Sequence, residues 1–462
     1  MFDVIIVKVD RDHVTRYANE VSDTCSMTVP NLQIARRSIA DTTTEKHTLK
    51  CKKLLFLLGN ENVGMTSAVE NWVTAVFPGV KDVSEKVLIV QESSSETEGQ
   101  FDASDLTKCP GLRQVTVKTL KDVFQWWPKT IDFLFKKTKQ RVRVYLTTDI
   151  EIKKSEGESE SIDVEQGQLK DDIRKLLQFN RAELVDNDGK AISCNTVIVV
   201  FGKEISVSNT MYSSLRRSKI NGVKVFFFFP LDVPTFDRKL KRISNYRFTV
   251  SQQMEGILFL MREIGMEQLE LPPLRRPLIP TGPLSIQCKY DGTAGKAVLN
   301  AKWAPYPYGL GETISLQIRV QKKLWHEIHG DLPATKSDIT VQLQGRPPIE
   351  AFDYRIMCED KDGNLSNYIK ARSINFTSTN PWQMKYSVLY GCASYKIDKI
   401  PAHVKCHFCD TEVDTVPNGN VRNRGKCWCL ILGCFGCCCA SKDVVHTCPN
   451  CQQEIRRYNG SQ

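Results

Sequence analysis

The C-terminal part of the chain contains two pairs of cysteines with the same spacing. Cys406 and Cys409 form one C-x-x-C pair, and Cys448 and Cys451 form the other. A two-residue spacer lets one tight turn present both sulfurs to a single ion. Two such pairs supply the four thiolates of a tetrahedral structural zinc site. Because a structural site has no open coordination position, the pattern predicts a metal that folds this segment and takes no part in a reaction.

An uncharged stretch lies between the two cysteine pairs, at residues 427–440, and reads CWCLILGCFGCCCA. A membrane-spanning helix needs roughly 20 apolar residues, so this stretch is too short to cross a bilayer and is typical of an interfacial or re-entrant segment. Its large apolar side chains are Trp428, Leu430, Ile431, Leu432 and Phe435. Cations flank it where anionic lipid head groups would lie, at Arg422, Arg424, Lys426 and Lys442. We therefore predict an apolar finger that enters a membrane surface and returns.

The cysteine pairs, the cysteine-rich insert and the closing sequence KDVVHTCPNC at 442–451 resemble the domain of the lipopolysaccharide-induced TNF factor (LITAF-like) family. The resemblance covers residues 401–462. It implies a monotopic domain on the cytosolic face of late endosomal and lysosomal membranes, with one structural Zn²⁺. The ligands it implies are Cys406, Cys409, Cys448 and Cys451. The insert is shorter and richer in cysteine than is usual in that family, and the family's proline-rich trafficking motifs are not evident upstream.

Other residues near the cysteine pairs leave two questions open. The surplus cysteines of the insert can act as small apolar residues, but cysteines next to a membrane are also substrates for S-acylation. We regard the run Cys437, Cys438 and Cys439 as candidate acylation sites. His407 and His446 lie beside the predicted ligands, so a site of three cysteines and one histidine stays open, although four thiolates is the simpler set.

Composition limits the remaining interpretations. The 462 residues are enough for about two to four domains. A net charge of +10 spread over this length is weak evidence for nucleic-acid binding, which usually shows a concentrated basic stripe. Cysteines outside the C-terminal part are widely scattered, which predicts reduced thiols in a cytosolic chain. Charges interrupt the apolar run at residues 1–10, so this segment has no signal-peptide architecture.

Apolar strands alternate with helical patterns in the first half of the chain. This alternation predicts a three-layer, doubly wound α/β domain over 49–268, with a mostly parallel sheet covered on both faces. The strand candidates are 53–58, 87–90, 142–146, 196–201 and 223–229, and the helix candidates include 120–136, 168–177, 209–220 and 237–243. Residues 1–48 are a segment of uncertain fold. The charged segment 151–165 is predicted to be a solvated loop.

Two resemblances compete for the 49–268 region. Its end, over 221–258, resembles the closing elements of a von Willebrand factor A domain. The turn 59–64 lacks the aspartate that opens the metal site of that family, and Asp149 alone cannot hold a hard cation, so we interpret that site as lost. Gly59 and Gly64 also follow P-loop spacing, but Met65 replaces the lysine that reaches the phosphates. A glycine-permitted turn is the simpler interpretation.

The pattern changes after a proline-rich stretch at 269–283, which predicts a semi-rigid linker. Short alternating strands over 284–378 predict an all-β, immunoglobulin-like sandwich. This region resembles a fibronectin type III domain, with Trp303 and Tyr354 packed in its core. Residues 379–400 would then connect the sandwich to a small zinc-ribbon domain at 401–462.

The sequence contains neither H-E-x-x-H nor G-x-S-x-G, and we predict a non-enzymatic protein without a small-molecule substrate. Our first hypothesis is a peripheral membrane adaptor. Its zinc-folded tail would dock on an anionic lipid surface, in the late endosome or lysosome and also at the plasma membrane or in the cytosol, while its other domains bind proteins. The first alternative is a zinc-ribbon nucleic-acid-binding protein, although such a finger would place cations in the insert. The second is a degenerate P-loop nucleotide-binding switch.

Overall fold

The structure is a computed structural model. It describes residues 2–29, 32–41, 49–60, 65–80, 82–93, 104, 106, 112–135, 142–155, 161–185, 194–265, 276–278, 284–291, 296–303, 311–320, 324–344, 352–372, 383–387, 401–421 and 442–458. The chain divides into two compact units. The first comprises Met1–Met211, Val223–Thr235 and Tyr246–Pro272, and the second comprises Tyr212–Gly222, Phe236–Asn245 and Pro273–Gln462.

The first unit begins with a five-stranded parallel sheet in the order β2-β1-β3-β4-β5. Its strands are β1 (Phe2–Lys8), β2 (Ile34–Ser38), β3 (Cys51–Leu58), β4 (Val87–Glu92) and β5 (Arg113–Val117), and its helices are α1 (Asp12–Thr28), α2 (Met65–Val76) and α3 (Val123–Leu134). The central strands are almost wholly buried because helices cover a parallel sheet on both faces. Its core includes Ile5, Leu54, Phe56, Trp72 and Ile89.

A second parallel sheet follows in the order β10-β9-β8-β6-β7. Its strands are β6 (Arg143–Thr148), β7 (Glu183–Leu184), β8 (Thr196–Val200), β9 (Lys224–Phe228) and β10 (Tyr246–Phe248). The helices in this part of the sequence are α4 (Asp149–Ser155), α5 (Val164–Phe179), α6 (Asn209–Ile220), α7 (Arg238–Ile243) and α8 (Gln253–Glu263). When the strands of each sheet are counted from its own first strand, both sheets have the order 2-1-3-4-5. The same topology therefore occurs twice in succession.

Helices that hold the same place in each repeat pack together. Helix α3 follows the last strand of the first sheet, and it contacts α8, which follows the last strand of the second sheet. Helix α1 contacts α8, and α5 contacts α3, so these two contacts are related by exchanging the repeats. One hydrogen bond across this packing runs from the indole Nε1 of Trp127 to the carbonyl of Met254, at 2.9 Å.

The parallel α/β architecture predicted from the sequence is confirmed, while its details differ. Residues 1–48, which had no assigned fold, supply β1, α1 and β2, and β1 is an inner strand that pairs with β2 and β3. Two sheets occupy the region in which we predicted one domain. The resemblance to a von Willebrand factor A domain is not confirmed.

The charged segment 151–165 was predicted to be a loop, but its first part belongs to helix α4. The Glu151 amide donates to Thr148 Oγ1 and the Thr148 amide donates to Glu151 Oε2, each at 3.0 Å. These reciprocal bonds form a capping box that starts a helix. The average charge of the segment hid this local signal.

Gly256 in α8 lets two aromatic rings approach the helix. A β-carbon at this position would lie 2.8 Å from ring atoms of both Phe228 and Phe248. Gly167 in α5 has only an ordinary contact, with a methyl group of Ile162 at 3.8 Å. Both glycines lie in helices, but only Gly256 lacks room for a β-carbon.

We predict that Gly256→Ala destabilises the first unit by about 1–3 kcal/mol, because overpacking outweighs the better helix propensity of alanine. The matched variant Gly167→Ala should be neutral or more stable by roughly 0.5–1 kcal/mol. Denaturant-induced unfolding of both variants checks this. Equal free-energy changes of the same sign would contradict the packing described above.

The second unit contains two four-stranded antiparallel sheets, in the orders β15-β12-β11-β18 and β14-β13-β16-β17. The strands are β11 (Ser285–Asp291), β12 (Lys296–Lys302), β13 (Gly311–Val320), β14 (Trp325–Pro333), β15 (Asp338–Gln344), β16 (Phe352–Asp360), β17 (Leu365–Arg372) and β18 (Gln383–Ser387). Trp303 and Tyr354 lie, as predicted, in a core that contains residues of both sheets. The two sheets together are called the sandwich below. The antiparallel β architecture is confirmed, but the fibronectin type III resemblance is not. Strand β18 comes from the predicted connector 379–400 and pairs with β11.

A buried ionic network joins helices α6 and α7 to the sandwich within the second unit. Arg216, whose side chain is 3% exposed, donates to both carboxylate oxygens of Glu359 at 3.0 and 2.9 Å and to Glu327 at 2.8 Å. Arg242 Nε donates to Glu359 at 3.1 Å. Burial by itself lowers the pKa of Arg216, but Glu359 and Glu327 outweigh it, and the pKa is raised above its usual value.

We predict that Glu359→Gln destabilises the second unit by about 3–5 kcal/mol, because two buried guanidinium groups lose their shared charge partner. The control is Asp331→Asn. Asp331 also pairs with Arg242, but its side chain is 66% exposed, and its loss should cost about 1 kcal/mol or less. Chemical denaturation measures both changes, and a similar cost for the two would argue against a dominant role for the buried network.

The predicted zinc-ribbon region, called the ribbon below, is described at residues 401–421 and 442–458. It forms two small antiparallel sheets at the C-terminal end of the second unit. Strands β19 (His403–Lys405) and β20 (Glu412–Asp414) form one. Strands β21 (Val416–Val421), β22 (Lys442–Thr447) and β23 (Glu454–Tyr458) form the other, with β22 in the middle. Each C-x-x-C turn follows a strand, the first after β19 and the second after β22.

Candidate metal centre

The two C-x-x-C turns have the same backbone geometry. In the first turn the Asp410 amide donates to the Cys406 carbonyl and the Cys406 amide donates to the Thr411 carbonyl, both at 2.8 Å. In the second turn the Gln452 amide donates to the Cys448 carbonyl and the Cys448 amide donates to the Gln453 carbonyl, both at 2.9 Å. Each turn therefore directs two sulfurs to one side.

One residue in each turn adopts the left-handed conformation. Asp410 has φ 56° and Gln452 has φ 58°, and each directly follows the second cysteine of its pair. This conformation costs roughly 1–2 kcal/mol for a residue with a β-carbon. Neither position is a glycine, so other interactions must hold the turns in place. Coordination of one metal ion by all four sulfurs would supply such an interaction.

The four sulfurs lie close together. The Sγ atoms of Cys406, Cys409, Cys448 and Cys451 all lie within 4.8 Å of one another. The distances from Cys406 to Cys451 and from Cys409 to Cys448 are both 3.7 Å, and each joins one turn to the other. A tetrahedral ion with Zn–S bonds of about 2.3 Å separates its sulfurs by about 3.8 Å. The donor set and the spacing therefore fit Zn²⁺.

Hydrogen bonds favour the thiolate form at Cys409. The Thr411 hydroxyl lies 2.8 Å from Cys409 Sγ, and the Asn450 amide donates to the same sulfur at 3.6 Å. The Thr411 hydroxyl lowers the pKa of Cys409 to about 6, with burial acting in the opposite direction. The thiolate is the form that binds metal, so this sulfur is ready to coordinate an ion near neutral pH.

His446, an alternative ligand in the sequence analysis, is buried and engaged elsewhere. Its Nδ1 lies 2.7 Å from Thr415 Oγ1, which also accepts the Ala402 amide at 2.9 Å. The Thr415 hydroxyl proton is thus available to His446, and burial lowers the pKa of His446 to about 4. In the part of the chain that the structure describes, the four cysteines are the only group of three or more such ligands that converge. The set with one histidine is not supported.

The predicted insert begins and ends on neighbouring strands. Strands β21 and β22 pair from Val416 with Thr447 to Val421 with Lys442. Thr447 immediately precedes Cys448, so the metal turns lie at one end of this hairpin and the insert starts at the other. The predicted insertion residues Trp428, Leu430, Ile431, Leu432 and Phe435, and the candidate acylation residues Cys437, Cys438 and Cys439, lie outside the described residues.

Two other predicted sites lie in the first unit. Met65 begins α2 and packs against the core of the first sheet, so the position of the P-loop lysine is filled by a packing residue. Asp149 is buried, and its Oδ1 accepts Gln166 Nε2 at 2.6 Å and the Gly202 amide at 3.2 Å. Gln166 and Gly202 were not singled out from the sequence, because no motif places them beside Asp149. Within the described ranges, no helix combines the length and apolar character that crossing a membrane would need.

A family model and several known proteins are similar to parts of this chain. The family model of the LITAF-like zinc ribbon domain matches residues 399–459. Uncharacterized protein 075L of Frog virus 3 (isolate Goorha) is 30% identical over 71 residues, which are 14% of this chain and 84% of that protein. Salmonella D-lactate dehydrogenase has 11% identity and a TM-score of 0.16 over 56% of this chain and 96% of its own. OgpA from Akkermansia muciniphila has 9% identity and a TM-score of 0.18 over 81% and 91%. Both TM-scores are too low to support an argument.

We predict that Cys448→Ser removes zinc from the chain, because three thiolates and a hydroxyl hold the ion far less tightly than four thiolates. Metal analysis of the purified protein should find about one zinc per wild-type chain and close to none in the variant. The control is Phe408→Ser, which changes an exposed side chain in the first turn and should retain the metal. If Cys448→Ser contains as much zinc as the wild type, Cys448 is not a ligand.

Proposed function

Because the chain belongs to the LITAF-like zinc ribbon family through its C-terminal domain, we propose that it is a non-enzymatic peripheral membrane adaptor. One structural Zn²⁺, held by Cys406, Cys409, Cys448 and Cys451, folds the ribbon. The ribbon presents residues 427–440 to an anionic lipid surface. The membrane is the cytosolic face of the late endosome or lysosome, by analogy with the family.

The pairing of β21 with β22 is the observation that supports this proposal. Val421 and Lys442 are partners in an antiparallel ladder, and such partners have α-carbons about 5 Å apart. The intervening segment therefore leaves and rejoins the ribbon at almost the same point. If a segment held in this way enters a bilayer, it must return on the same side, which is the geometry of a monotopic anchor.

The chemistry of the insert fits an interfacial site. Each large apolar side chain contributes about 1.5–3 kcal/mol when it leaves water, and each nearby Lys or Arg adds about 1 kcal/mol at an anionic surface. Acylation at Cys437, Cys438 or Cys439 would strengthen the attachment by a further buried chain. The α/β repeats and the β-sandwich are then available for protein partners.

Liposome flotation tests this function. We predict that the wild-type chain floats with vesicles containing anionic lipid, and that a variant with Leu430, Ile431 and Leu432 changed to Ser loses at least about tenfold in binding, because the apolar term is removed. A matched control changes Val164 and Phe179 to Ser. Both side chains are exposed and belong to α5, far from the ribbon in sequence.

The control variant should float like the wild type. If the wild-type chain and the insert variant both stay out of the vesicle fraction and bind single-stranded DNA instead, the membrane proposal is wrong and the nucleic-acid alternative replaces it. If all three proteins float equally, residues 427–440 are not the anchor.

A further inference from the structure

One apolar cluster in the second unit contains residues from both the ribbon and the sandwich. From the ribbon it includes the metal-site residues Cys406 and Cys448, together with Ala402, Val404 and Ile455. From outside the ribbon it includes Leu278, Ala334 and Cys358. All eight side chains are buried. Apolar side chains of the ribbon and of the sandwich therefore share one buried cluster.

The residues on the sandwich side come from three separate places in the sequence. Ala334 directly follows β14, and Cys358 lies in β16, where it pairs with Ile314 of β13. Leu278 lies in the proline-rich segment before the sandwich. A cluster assembled from three distant segments has a defined shape, so it makes a specific docking surface for the ribbon.

Backbone contacts hold the ribbon at the same place. Arg276 and Ala402 form an isolated parallel bridge, and the His403 amide donates to the Arg276 carbonyl at 3.0 Å. Segment 276–278 thus contacts the first strand of the ribbon by its backbone and enters the shared cluster by its Leu278 side chain. Polar and apolar contacts agree on one docked arrangement.

The sulfurs are placed unequally with respect to this cluster. Cys406 and Cys448, the first cysteine of each turn, are buried, whereas Cys409 and Cys451 are half-buried at its edge. An ion held by all four sulfurs would therefore lie at the edge of the shared cluster, with two of its ligands inside it.

We propose that zinc is a latch that holds the ribbon on the β-sandwich. Metal binding brings the two turns together and forms the apolar face that packs against Leu278, Ala334 and Cys358. Loss of the metal releases the ribbon and exposes that surface. Because coupling between binding and docking is reciprocal, docking also raises the zinc affinity of the ribbon by the same factor. The inference rests on the zinc site of the proposed function and does not depend on membrane binding.

Hydrogen exchange of the full chain, with zinc bound and after chelation, tests the latch without any substitution. We expect zinc removal to raise amide exchange at 332–336 and 356–359 of the sandwich as well as in the ribbon. Amides of the first sheet, such as those at 54–58, serve as an internal control and should be unchanged. Restoring zinc should restore protection. Unchanged exchange at 332–336 and 356–359 after complete zinc removal would overturn the proposal.

A pair of variants tests the reciprocal effect. Leu278→Asp places a charge in the docking cluster without touching a sulfur, and should weaken zinc binding at least tenfold in a chelator competition assay. Val416→Asp places the same charge on an exposed ribbon position and should bind zinc like the wild type. Wild-type affinity for Leu278→Asp would contradict the latch. A wild-type chain that binds no zinc would instead disprove the metal centre and the proposed function, and failure in flotation would leave the latch intact.

Discussion

The convergence of four sulfurs from two distant turns is the constraint on which the C-terminal part of this protein depends. The first pair of cysteines is separated from the second by about forty residues, and no hydrogen bond between cysteine side chains could hold the turns with comparable strength. The two turns make the same pair of backbone hydrogen bonds, and each has a left-handed residue directly after its second cysteine. This repetition directs all four sulfurs to one place, where a Zn²⁺ ion fits.

At one end of the β21–β22 hairpin the sulfurs meet, and at the other end the insert leaves and returns. The buried cluster with Leu278, Ala334 and Cys358 links the same metal end to the sandwich. The metal site therefore lies between the sandwich and the hairpin that carries the proposed membrane-binding insert.

The remainder of the second unit relies on buried charges as well as on an apolar core. Arg216 and Arg242 share Glu359, and all three side chains are largely removed from water. Such a network adds little stability compared with apolar side chains of the same volume, because replacing all its members together can be nearly neutral. Removing one member alone is costly, because it leaves a buried charge without its partner.

The first unit shows that one topology is used twice. The two repeats have the same strand order, but the repetition is not visible in the sequence. Parallel strands that are buried on both faces can be built from many combinations of Val, Ile, Leu and Phe. The contact of α3 with α8 joins helices that hold the same place in the two repeats. A repeat of this kind is visible only when strand neighbours are known.

The sequence by itself determined the cysteine spacing, the apolar insert and the alternation of strands and helices, because each depends on residues that are close along the chain. These features were sufficient to predict the cluster of four cysteines, the parallel α/β class and the antiparallel region. Only the tertiary structure decided that β1 is an inner strand and that the α/β region contains two parallel sheets. It also decided that His446 bonds to Thr415 and that Cys358 joins the cluster on the metal side. These outcomes depend on which distant segments become neighbours, and local periodicity carries no information about that choice.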